Sequence, residues 1–95
     1  MSSYVARGSV GRIIQLIFFV IAVIIIAHII FVLLGANPGN TIVSTDADWA
    51  GTLASWFKNL FTPSNYKLAV TLNYGLAALV FLIVGRLLGE GVERL

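Results

Sequence analysis

The sequence predicts an all-α membrane protein: a two-helix transmembrane hairpin with an interfacial amphipathic helix in its connector. Three observations lead there. Hydrophobic residues make up 59% of the chain and charged ones only 11%, whereas soluble domains carry about 25% charge. Two apolar runs, 13–34 and 68–88, are each long enough to cross a bilayer. Between them lies a shorter segment whose apolar residues recur with a helical period.

The same composition removes several function classes. A chain of 95 residues forms one folding unit at most, and in water it could hardly enclose an enzyme pocket. Without cysteine there is no disulfide, thiolate nucleophile or Cys-ligated metal. A formal charge of +2 from six basic residues is too thin for nucleic-acid binding. No nucleophile–base pair, metal cluster or phosphate loop is present, so neither enzyme activity nor a cofactor is expected.

Residues 1–12 form a polar, basic N-terminal segment with Arg7, Gly8, Gly11 and Arg12. The run at 13–34 is then interrupted only by Gln15 and His28, and 18 of its 22 residues are Leu, Ile, Val or Phe. At roughly −0.3 to −0.6 kcal/mol each, these favour insertion by several kcal/mol even against the two polar residues. As a helix the run is about 33 Å long, and the hydrocarbon core to be crossed is about 30 Å. Its many β-branched residues would favour strands in water, but in lipid a helix satisfies its own backbone. A cleaved signal peptide would have an apolar stretch of about 7–15 residues and a small-x-small site. Here Leu34-Gly35-Ala36 puts leucine where a small residue is needed, so the run is expected to remain as an anchor.

Residues 35–67 form the connector. Gly35-Ala36-Asn37-Pro38-Gly39-Asn40 stops the first helix with three kinds of breaker. Thr45 is the expected N-cap of the next, with Asp48 three residues on as in a capping box, and Asp46 and Asp48 suit the positive end of its dipole. Over about 46–61, Trp49, Leu53, Trp56, Phe57, Leu60 and Phe61 make one apolar stripe, opposite Thr52, Ser55, Lys58 and Asn59. This segment is too short and polar to span. Its two tryptophans suit the headgroup boundary, so the six apolar residues are expected interface anchors of a helix lying in plane. A short helix packed on the rest of the protein is the alternative.

Thr62 and Pro63 are placed to cap and begin the second span, 68–88, about 31 Å long. It is the weaker one, with 12 strongly apolar residues interrupted by Thr71, Asn73, Tyr74, Gly75, Gly85 and Arg86. Gly75, Ala78, Gly85 and Gly89 share one side of this helix with Thr71, and Gly85 to Gly89 is a GxxxG, so these form the expected packing face. Gly8, Gly11, Gln15 and Ala22 make a looser stripe on the first helix. Asn73 and Arg86 lie on the other side of the second, which points to two neighbours: the hairpin partner and another chain. Residues 89–95 are a short C-terminal segment of mixed charge.

Antiparallel packing brings His28 and Asn73 to similar depth. A hydrogen bond between them, or from His28 to Tyr74, is the expected polar contact between helices. The sharper role for His28, as proton relay or haem or pigment ligand, is disfavoured by the absence of a nearby carboxylate. Light-harvesting polypeptides also place a small residue four before their pigment histidine, where this chain has Ile24. Gln15 and Arg86 match in depth near the opposite boundary, each reaching for the headgroups. A hairpin puts both termini on one side. Arg7, Arg12, Arg86 and Arg94 there outnumber Lys58 and Lys67 on the loop side, so the termini are expected in the cytoplasm.

The join Leu33-Leu34-Gly35-Ala36-Asn37-Pro38-Gly39-Asn40 resembles the first-helix exit of YggT-type bacterial membrane proteins, and the order of elements beyond it is similar. That family's aromatic-threonine and proline-phenylalanine stretch is replaced here by residues 41–49. The resemblance implies a multi-pass protein of the bacterial plasma membrane, with links to cell division, osmotic response or organisation of membrane complexes. The expected role is a non-catalytic accessory or scaffolding subunit, whose partners are the lipid bilayer and a larger membrane complex or further copies of itself. A self-associating pore or holin-like protein is one alternative, but it would need a continuous polar stripe that neither long helix carries. A cofactor-binding membrane subunit using His28 is the other.

Overall fold

The computed structural model describes residues 3–94, with side chains from residue 9 onward, so Arg7 and Gly8 lie outside the described side chains. Three helices follow in order, α1 (Ser3–Leu33), α2 (Thr41–Leu53) and α3 (Tyr66–Glu93). As the sequence predicts, the described chain is all-helical, and two helices, over Ser9–Leu33 and Tyr66–Glu93, are long and apolar enough to cross a membrane.

α1 ends where the breakers demand. Gly35 takes a left-handed φ of +67°, a conformation that costs other residues a Cβ clash. Its amide reaches the Val32 carbonyl at 3.1 Å, and the Ala36 amide reaches that of Phe31 at 2.8 Å. This pair of bonds satisfies carbonyls the helix end would orphan.

The connector helix differs from expectation at both ends. It spans Thr41–Leu53 instead of about 46–61, and its cap is Asn40, not Thr45. Asn40 Oδ1 accepts from the amides of Ile42 at 2.9 Å and Val43 at 3.4 Å, the second and third helical positions that an N-cap serves. Thr45 lies inside the helix, so the stripe from Trp49 to Phe61 is not one helical face. After Leu53 the chain makes turns, with the Phe57 amide bonded to the Ala54 carbonyl at 2.8 Å. α3 also starts later than Thr62 and Pro63 suggest: Asn65 is its N-cap, accepting from the Leu68 amide at 3.1 Å.

α1 and α3 pack antiparallel through small residues. The Phe18 side chain occupies the space a Cβ on Gly85 would need. A Cβ on Gly89 would stand 2.5 Å from Gln15 Cγ and 2.8 Å from the Gly11 carbonyl oxygen. Further along, the Phe18 and Phe81 rings are 6.2 Å apart, and those of His28 and Tyr74 are 4.7 Å apart. Gly85 and Gly89 are therefore taken up by the hairpin's own partner helix, and Ala78 is buried in the cluster that α1 and the connector share. Gly75 is the exception, for a Cβ there would meet nothing within 4 Å.

The connector folds back along this hairpin. Ala50 and Ala54 join Ala22, Ile25, Ala77 and Ala78 in one buried cluster, against which Leu53 and Phe57 also pack. Helix residues with side chains this small let three backbones approach closely. Where the connector turns, Leu53, Trp56 and Phe57 share a groove with Val80, Phe81 and Val84 of α3.

Candidate functional site

The most highly organised polar contacts lie between α3 and the returning part of the connector. Asn73 is only 3% exposed, about two turns into the apolar helix α3. Its Nδ2 donates to the carbonyls of Lys58 and Phe61, both at 2.8 Å, and its Oδ1 accepts from the Phe61 amide at 2.8 Å. Both amide donors and an acceptor are thus used. This replaces the expected His28–Asn73 hydrogen bond: Asn73 turns to the connector, not to α1. The Phe61 amide is thereby spent on Asn73 and not on a helical bond to the Phe57 carbonyl, and the Lys58 and Phe61 carbonyls find a partner outside any helix.

His28 packs its ring on Tyr74, tilted by 55°, and makes no hydrogen bond among the described residues. It is 8% exposed and lines a cavity of about 230 Å³ with Phe31, Val32, Ser44, Asp48 and Tyr66. α2 also brings a carboxylate, Asp46, within electrostatic range of it. Burial pushes the Asp46 carboxyl above its ordinary range, opposed by the charge of nearby His28, and Asp46 Oδ2 is buried without a hydrogen-bond partner. Sequence reasoning placed no carboxylate near His28, because a helix starting at Asp46 and lying in plane would not reach it. No group of three metal-ligating side chains occurs among the described residues.

No protein-family model matches the chain, nor does any curated protein or solved structure.

Of the six expected interface anchors, Leu53 and Phe57 are half-buried against the hairpin, and the other four point outward. Trp49 is 59% exposed and Trp56 is 90% exposed, with Leu60 and Phe61 also open. A second outward surface of the connector is polar: a groove of about 590 Å³ between Ala47, Asp48, Gly51, Thr52, Ser55 and Lys58. At the far end of the hairpin, Arg86 Nε pairs with Glu90 Oε1 at 3.2 Å, so Arg86 is engaged along its own helix and not with Gln15. The connector thus presents an outward surface of aromatic and polar side chains, tied to α3 through Asn73. The groups with potential for chemistry, His28, Asp46 and Tyr74, are packed among apolar side chains beside a small cavity.

Proposed function

We propose that the chain is a small integral membrane protein that acts by contact, as a non-catalytic accessory or scaffolding subunit of a larger complex in a bacterial plasma membrane. Two long apolar helices supply the membrane anchor. The excess of Arg7, Arg12, Arg86 and Arg94 over Lys58 and Lys67 in the sequence favours termini in the cytoplasm and a connector entering from the outer side. The Leu33 to Asn40 join, similar to that of YggT-type proteins, supports the bacterial setting.

One observation carries the reading. Asn73 holds an irregular connector in place with three hydrogen bonds, and that connector exposes Trp49, Trp56, Leu60 and Phe61 together with unpaired charge. Ordering such a segment costs conformational entropy. Tryptophan-rich, pre-ordered surfaces of this kind are where binding energy concentrates at interfaces.

The test is native mass spectrometry of the protein released in native nanodiscs. Unrelated membrane subunits in fixed stoichiometry are the expected result. Copies of this chain alone, or a lone monomer, overturn the accessory reading.

A further inference from the structure

We propose that the connector re-enters the hydrocarbon layer and that its polar face is closed by a second copy of this chain, paired about a two-fold axis along the membrane normal. This rests on the reading of α1 and α3 as membrane spans acting by contact.

Depth comes first. The apolar run of α1 is bounded by Arg12 and Gln15 at one end and by the Gly35 to Asn40 breakers at the other, so its middle falls at Val23 and Ile24. Ala22 and Ile25 flank that middle, and the connector's Ala50 and Ala54 share their buried cluster. A helix lying at the boundary would be about 15 Å away from it. The connector instead runs down to mid-layer, turns beside Val80 and Val84, and climbs back past Asn73 to the start of α3.

Non-helical backbone at that depth has to be covered by protein or line water. Asn73 supplies the cover on the inner side. The outer side presents Asp48, Thr52, Ser55 and Lys58 around one groove, and Asp48 and Lys58 form no ion pair with each other or with any other described residue. Charges within the layer seek partners and do not face lipid.

The charge pattern selects the occupant. The face carries one acid and one base and is self-complementary in sign. A two-fold interface sets residue i against j and j against i, so Asp48 of each copy meets Lys58 of the other. With the axis along the membrane normal, the two groups must lie at similar depth. They do: Lys58 Nζ turns back to within 3.1 Å of the Cβ position of Gly51, which is less than one turn, about 5 Å, from Asp48 along α2.

The experiment uses the full chain in lipid nanodiscs, and the absence of cysteine makes any introduced thiol unique. Native mass spectrometry of the wild type is expected to give even copy numbers. Asp48→Lys should lower the dimer-to-monomer ratio about tenfold or more, and adding Lys58→Asp should restore it. The uncharged Ser55→Cys variant should crosslink copy to copy with a short thiol reagent, which keeps the test informative if charge reversal impairs folding. A monomeric wild type, a dimer indifferent to Asp48→Lys, crosslinking of Ser55→Cys to an unrelated subunit, or its free labelling by a membrane-impermeant reagent each overturn the proposal. Unrelated subunits with a single copy of this chain would defeat self-pairing and leave the accessory reading standing. Dimers without companions would do the reverse.

Discussion

Asn73 and Phe61 are joined twice: the Asn73 side chain accepts from the Phe61 amide and donates to the Phe61 carbonyl, each at 2.8 Å. The second amide hydrogen goes to the Lys58 carbonyl, also at 2.8 Å. A single polar residue in an apolar helix thereby satisfies backbone that the turn at 54–65 leaves without a ladder.

Replacing Asn73 should free the connector. Asp at this position keeps the acceptor's shape but loses both donors, and Leu loses all three bonds. Each should raise hydrogen exchange at the Phe61 amide and weaken its protection by about 1–3 kcal/mol, with Leu leaving α1 and α3 helical. Unchanged protection in both variants would mean that the connector is held elsewhere.

The glycines of α3 should respond unequally. Gly85→Leu drives a side chain into Phe18, and Gly89→Leu into Gln15 and the α1 backbone. Either should destabilise the hairpin by about 1–3 kcal/mol, read by denaturant titration in detergent micelles. Gly75→Leu enters open space and should cost little. A reversed order would show that the packing face is wrongly assigned.

Asp46 predicts a pH dependence of definite sign. Burial raises its carboxyl above the ordinary range, with His28 opposing, so the folded chain holds this proton more tightly than the unfolded one. Stability from this group is full below the unfolded pKa and falls as pH rises through the raised folded pKa. Asp46→Asn should flatten that part of a stability-against-pH curve. A slope that survives the substitution would assign it to another group.

His28 contributes mainly its ring to the contact with Tyr74. His28→Phe should therefore keep stability within about 1.5 kcal/mol of the wild type, and His28→Ala should lose more through the cavity it leaves. Equal losses in both would point to a polar partner for the imidazole.

Both long helices were legible from residue content, because apolar runs of 22 and 21 residues, long enough to cross a bilayer, satisfy their backbone there as helices. The small-residue stripe of α3 was legible too, since Gly85 and Gly89 recur at helical spacing. Its occupant was not, because GxxxG does not say which helix approaches. The connector was misplaced for two reasons. Asn40, beside the breakers, caps α2 more effectively than Thr45, a choice that local pattern leaves open. The amphipathic stripe through Phe61 is broken where the chain turns after Leu53, and the returning backbone is held by Asn73, a partner that enters only through the tertiary fold. Asp46 beside His28 follows from the same displacement, for only a helix starting at Thr41 and running back along α1 brings the two together.

The central claim, that the connector lies alongside the hairpin and not across its end, is tested most directly by an intramolecular crosslink between Leu53→Cys and Val80→Cys, which wall one groove. Val80 is about 21 Å along α3 from its first residue. The fold described here predicts efficient crosslinking within single chains by a short thiol reagent in lipid nanodiscs. No intramolecular product from a helical, membrane-inserted double variant would place the connector at the end of the hairpin and contradict the account.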